Sequence, residues 1–175
     1  MSTTKVIALS LTTTRTIYYE LLLITAAFFV PFAISGPQLL TGSVVNFLLI
    51  MYAQRAFSKR TLAIVVLPSI GALLNNVILG TATISLFYFL PFIWLANYLY
   101  IMGFRGLAST NRGAGLAGGV LAKCALLFGV AYLLVTLHIV PSVFLTAMGV
   151  LQLITAVLGG GVALVVNPFI KTTTS

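Results

Sequence analysis

Residues 36–47, GPQLLTGSVVNF, set Gln38, Thr41, Ser43 and Asn46 between two runs of almost pure hydrocarbon, in a chain with a single acidic residue. What those four polar side chains do depends on the solvent around them. Of the 175 residues, 61% are hydrophobic and 6% charged, whereas about a quarter of the residues of a soluble domain are charged. So few charges would leave apolar patches far larger than a water-exposed surface tolerates, so the bilayer is the solvent for most of this chain. On a helix starting near Gln38, positions 38, 41, 42 and 46 fall within an arc of about 140° at 100° per residue. The stretch reads as the polar face of a helix that enters lipid.

Outward from this stretch, the chain divides into apolar segments of the roughly 20 residues that a hydrocarbon core of about 30 Å requires. The spans expected are 17–35, 39–57, 61–80, 83–104, 115–138 and 142–167, separated by SGPQ, FSKR, GTAT, FRGLASTNRG and IVPS. These short connectors predict an all-α integral membrane protein, a compact bundle of six transmembrane helices with consecutive helices as antiparallel neighbours. Residues 1–16 form an N-terminal cytoplasmic segment, 17–167 the transmembrane domain and 168–175 a cytoplasmic tail. The apolar run Val6–Leu11 is too short for a signal-peptide core and no A-x-A site follows it, so the first span is expected to stay as an anchor.

The basic residues orient the bundle. Lys5 and Arg15 precede the first span, Arg55, Lys59 and Arg60 surround the second connector, Arg105 and Arg112 sit in the fourth, and Lys171 follows the last span. Connectors one, three and five carry no Lys or Arg. Positive charge stays inside during insertion, which predicts both termini and connectors two and four to be cytoplasmic in a multi-pass protein of the cell (plasma) membrane. The net charge of +8 follows from this sorting. With the cations scattered and no dense basic face, nucleic acid is not an expected partner.

Lipid provides no hydrophobic drive between helices, so small residues that let backbones approach matter. Gly115/Gly119 form a G-x-x-x-G pair, Gly118, Ala122, Ala125 and Gly129 continue up the fifth span, and Ala156/Gly160 and Gly159/Ala163 recur in AVLGGGVA. These stripes serve either packing within the bundle or docking of another membrane subunit. Pro31, Pro68 and Pro91 lie in or beside apolar runs, where they kink helices and free carbonyls.

Amides in hydrocarbon need partners, which makes them interhelical glue or ligand contacts. Asn46 is expected roughly 10 Å, and Gln152 about 15 Å, below the outer surface. Asn75 and Asn76 belong near the outer end of the third span and His138 at that of the fifth. This clustering in the outer half suits a cavity open to the outside, with Gln38, Thr41, Asn46, Asn76, Asn97 and Gln152 as candidate substrate-binding residues. Phe87, Tyr88, Phe89, Phe92 and Trp94 are the expected walls. Asn97, set deeper, has a structural role as its other reading. Lys123, about 12 Å deep from the cytoplasmic side, must snorkel or be paired. It either pairs with Glu20, the one acid, or serves as counter-ion to an anionic ligand.

Catalysis has little to stand on. One Glu, no Asp, one His and one Cys allow no paired carboxylates, H-E-x-x-H or G-x-S-x-G, and no P-loop is present. The chain is expected not to be an enzyme and to need no cofactor. Cys124 cannot form an internal disulfide and is too few for an iron–sulfur cluster, while His138 lacks companions for a metal site.

The succession GPQLLTGSVVN, LPSIGALLNN, PFIWLANYLYI, LAKCALLF and LQLITAVLGGGVAL, covering residues 36–164, resembles a branch of the substrate-binding S-components of energy-coupling factor transporters. The resemblance implies six helices with both ends inside and an outward-facing pocket for a vitamin-like or metal-related micronutrient. It also implies as partners a transmembrane coupling subunit and two ATPase subunits, with the S-component toppling in the membrane to release its cargo. By position, Gln38, Thr41 and Asn46 match the branch's GPQ…TG…VN element, Asn97 the Asn of PFI…N, Lys123 the AK pair and Gln152 QL.TA. The first helix departs from the pattern, since LLLITAAFFVPFAIS lacks the A-x-x-x-A that many S-components use for docking.

The expected function is therefore capture of a small solute from outside for ATP-driven uptake by partner subunits. The alternative is a structural or assembly subunit of a larger membrane complex without its own ligand, and a stand-alone channel or facilitator comes third.

Overall fold

A computed structural model describes residues 3–34, 38–55, 57–78 and 85–172, with side chains over 14–34, 38–55, 57–75 and 85–166. The described residues are helical with no strand: α1 (Thr3–Ala33), α2 (Gln38–Ala53), α3 (Thr61–Ile78), α4 (Ser85–Ala108), α5 (Arg112–Thr136), α6 (Val143–Met148) and α7 (Val150–Thr172). Helix is the form that satisfies every backbone donor and acceptor within one segment, as hydrocarbon demands. Four stretches are long and apolar enough to cross a membrane: Thr14–Ala33, Ser85–Ala108, Arg112–Thr136 and Val143–Val166. The helices α2 and α3 are apolar but shorter. At about 1.5 Å per residue α2 extends roughly 24 Å, less than a hydrocarbon core.

Several expected boundaries move. The first helix starts at Thr3, well before the expected span. The second stops at Ala53, where the chain turns, and Arg105 Nη1 donates to the Ala53 carbonyl at 2.8 Å. The fourth connector shrinks to Ser109, Thr110 and Asn111, because α4 runs on to Ala108 and Asn111 caps α5. The Asn111 Oδ1 accepts from the amides of Gly113 (2.7 Å) and Ala114 (3.2 Å), filling two of the orphan donors of that helix start. The sixth expected span divides at Gly149 into α6 and α7. A Cβ there would lie 2.6 Å from the Leu145 carbonyl oxygen and 2.8 Å from the Phe128 ring, a backbone approach that glycine permits.

Packing follows three glycine seams, two of which join helices that are not consecutive in the chain. The most extensive pairs are α4 with α5, α2 with α7, and α1 with α3, while α2 and α3 scarcely meet. In the first, a Cβ on Gly119 would be 2.6 Å from the Tyr100 carbonyl oxygen, and one on Gly115 2.6 Å from that of Phe104. In the second, Gly159 lies against the Ser43 carbonyl and the Phe47 amide, and in the third Gly71 lies against the Phe28 carbonyl. These small residues work inside the bundle, while Gly129 and Gly161 face open space. The expectation that consecutive helices are the main neighbours is corrected for α2 and α3: close backbone approach wins over short connection.

Apart from Lys123 and the amides bonded to it, charged and polar groups sort to the two ends. At one end Arg60 pairs with Glu20 at 2.9 Å, Arg55 lies over the Tyr19 ring at 4.7 Å and Arg105 over that of Phe57 at 4.9 Å. Gln54 Nε2 there donates to the Ala163 carbonyl at 3.2 Å. The second and fourth connectors thus share an end with the N-terminal part of Thr14–Ala33 and the C-terminal part of α7. At the other end Gln38 Nε2 donates to the Ala147 carbonyl (3.0 Å) and Asn75 Nδ2 to that of Phe32 (2.6 Å), each a carbonyl near a helix end.

Candidate functional site

Between the helix ends at the non-basic end lies a cavity of about 430 Å³, within the range of small-molecule sites. The buried Pro31 and Pro68 and the face of α2 that carries Gln38, Thr41, Gly42, Val45 and Asn46 line it. Spacings of three, four and five residues bring these α2 positions to one side of the helix. Leu86, Ile93 and Asn97 supply the α4 wall, Lys123 and Leu127 that of α5, and Phe144, Ala147, Met148 and Gln152 close it from α6 and α7.

Lys123 is the centre of the polar network. It is 3% exposed, and its Nζ donates to Asn46 Oδ1 at 2.7 Å and Asn97 Oδ1 at 2.9 Å. An amine that only donates must face the oxygens of both amides, which turns their nitrogens outward. Asn46 Nδ2 accordingly donates to Thr155 Oγ1 (3.2 Å) and Asn97 Nδ2 to the Val65 carbonyl (3.0 Å). One cation thereby ties α5 to α2 and α4, and through them to α7 and α3. The Tyr100 ring lies 5.3 Å from Nζ, and its hydroxyl donates to the Ala156 carbonyl at 2.7 Å, holding the ring in place.

The expected Lys123–Glu20 pair does not form. Glu20 is occupied at the basic end, where its Oε2 accepts from Arg60 Nη1 at 2.9 Å and from Ser58 Oγ at 3.1 Å. Lys123 lies 11 residues into α5, about 16 Å along its axis, and is turned to the amides instead. Burial explains the choice: two oriented amide oxygens within the same layer satisfy the amine without a long reach to the interface.

Of the six residues expected to contact substrate, Gln38, Thr41, Asn46, Asn97 and Gln152 line this one cavity. Asn76 lies on α3, with its side chain outside the described residues; its neighbour Asn75, about 100° round the helix, lines the cavity. The amides of Asn46, Asn75 and Asn97 are engaged with other helices. Thr41 Oγ1, in contrast, is buried without a hydrogen-bond partner among the described residues. No hydrogen bond among those residues uses the Gln152 side-chain amide.

The expected aromatic walls are corrected. None of Phe87, Tyr88, Phe89, Phe92 or Trp94 lines the cavity. The face of α4 that does so carries Leu86, Ile93 and Asn97, at spacings of seven and four, which leaves Phe87, Tyr88 and Phe92 exposed on the outside. Phe89 is buried and stacks on Phe144 at 5.0 Å between ring centroids, so it acts through the residue that does reach the cavity. Trp94 Nε1 donates to Ser69 Oγ at 2.7 Å, and Ser69 is another lining residue.

Sequence reasoning also passed over Thr155 and Phe144. Thr155 stands one turn beyond Gln152, a spacing that marks a shared face; Phe144 had no such signal, because the break at Gly149 sets its direction. His138, expected at the membrane boundary, is exposed beyond the end of α5 with a φ of 56°. No group of three or more His, Cys, Asp or Glu that could hold a metal occurs among the described residues. No family model, curated protein or solved structure matches the chain.

Proposed function

We propose that this chain is a membrane-embedded binding subunit that captures a small, vitamin-like solute from outside the cell for uptake by partner subunits. In this reading it spans the plasma membrane six times, with α2 and α3 as short spans and α6–α7 as one broken span. Both termini and the basic end lie in the cytoplasm. A coupling subunit and two ATPases supply the energy, because the chain lacks an ATP-binding motif of its own, and it carries out no catalysis.

One observation carries the reading. Gln38, Thr41, Asn46, Asn97, Gln152 and Lys123, drawn from four helices, converge on one cavity at the end opposite the basic connectors. A bundle held together by amides alone has no need of a hollow at their meeting point, since interiors are normally close-packed. Apolar walls with a few convergent polar groups are what a small-molecule site requires. The positive-inside rule gives that end the outward orientation.

The assembly-subunit reading draws on a different observation, that the amides of Asn46, Asn75 and Asn97 all bond to other helices. Mass spectrometry of molecules released from the purified protein separates the two. Capture predicts one tightly held small molecule, together with ATPase partners in the co-purified fraction. Recovery of membrane neighbours alone, with no released molecule and no thermal shift across a vitamin panel, would leave the assembly reading standing.

A further inference from the structure

Lys123 brings a positive charge into the bundle that nothing among the described residues around it neutralises. Its two hydrogen-bond acceptors are neutral amides, its third neighbour is the Tyr100 ring, and the one acidic side chain, Glu20, is held by Arg60. Amide dipoles and a ring quadrupole lower the cost of a buried ammonium but leave its charge in place. Among the described residues that line the cavity, Lys123 is the sole charged one. The cavity therefore has a cationic spot in an otherwise neutral wall, which an anion of the ligand would complete.

On the capture reading above, we propose that the ligand is a small monocarboxylate with an apolar body, its carboxylate seated on the Lys123 ammonium. One cation matches one negative charge; a phosphate, at roughly −1.5 to −2, would lack a second partner. The Asn46 and Asn97 oxygens hold Nζ in place from the protein side and cannot themselves bind an anion, since they only accept. The unpartnered Thr41 hydroxyl and the Gln152 amide remain for further polar atoms of the ligand. Val45, Leu86, Ile93, Leu127, Phe144 and Met148 offer the apolar body its contacts.

The test uses the purified full chain in nanodiscs, freed of co-purified material, and three acid and amide pairs of equal shape: hexanoate and hexanamide, benzoate and benzamide, 3-phenylpropionate and 3-phenylpropionamide. Fluorescence of Trp94, the one tryptophan, reports binding through its bond to the cavity-lining Ser69. At least one acid is expected to give a saturable change, with its amide weaker by about 10- to 100-fold, the range for a hydrogen bond to a charged group. Lys123→Met should abolish that preference and Lys123→Arg retain part of it. Equal binding of acid and amide, or acid binding unchanged in Lys123→Met, overturns the proposal, and where no probe binds, the molecule released from the wild-type chain decides.

If Lys123→Met does not fold, the molecule released from the wild-type chain decides, by its mass shift on amidation. A released acid supports the carboxylate assignment. A released neutral molecule overturns it while capture stands, whereas no released molecule together with no probe response overturns both.

Discussion

Lys123 and Glu20 are the two ionised groups most at odds with lipid, and each has been given a different solution. Lys123 takes amide oxygens, whereas Glu20, 4% exposed, takes the guanidinium of Arg60 and the Ser58 hydroxyl near an interface. The Arg60 side chain is 42% exposed, so its attraction is screened and the pair is worth at most about 1 kcal/mol as a net gain. Removing one partner is another matter. Arg60→Met leaves a buried carboxylate with only Ser58, and it is expected to destabilise the bundle more than Glu20→Gln, which leaves an exposed arginine in water. Thermal unfolding in detergent should give that order, and the double variant should lose less than the sum of the two singles. A larger loss from Glu20→Gln would show that the carboxylate serves something other than Arg60. Asn97→Leu strips Lys123 of one acceptor and the Val65 carbonyl of its donor, an expected loss of about 1–3 kcal/mol by the same measurement.

At the level of helices, stability is set by where backbones touch. Gly159→Ala would drive a methyl group into the Ser43 carbonyl and to 2.7 Å from the Phe47 amide. Backbone cannot yield as a side-chain tip can, so α7 must lift from α2, at a cost of about 1–3 kcal/mol. Gly161, two residues on, meets nothing within 4 Å. Gly161→Ala is expected to be neutral or to stabilise by up to about 1 kcal/mol, since alanine is the better helix former. Matching losses at the two sites in thermal unfolding would mean that α2 and α7 are not joined along this seam. The contrast also separates two uses of the same residue type that look alike in the sequence GGG.

For the whole molecule, orientation and cavity belong together, because a site for an external solute must open at the end away from the basic connectors. On a Cys124→Ala background, Lys59→Cys in intact cells should resist a membrane-impermeant maleimide and react only after permeabilisation, whereas Ser142→Cys should react at once. The reverse pattern would place the cavity mouth in the cytoplasm and remove capture from outside.

Legible in the sequence alone were the apolar runs long enough to cross a membrane, the helical state and the separation of charged from uncharged connectors. These are additive consequences of composition and of distance along the chain: apolar runs of that length suit a bilayer, a bilayer favours internally bonded helices, and Lys and Arg mark the connectors directly. It also put the α2 face of Gln38, Thr41 and Asn46 together, because helical periodicity is local. What tertiary structure alone decided is which distant groups share a space. Lys123 sits 77 residues from Asn46 and 26 from Asn97, and its choice of amides over Glu20 depends on how α5 is rotated and how deep it lies. The turn at Gly149 that brings Phe144 to the cavity, and the rotation of α4 that faces Ile93 inward and Tyr88 outward, have the same origin. Helix rotation is fixed by glycine seams packing against partners far along the chain, and no local pattern contains that information.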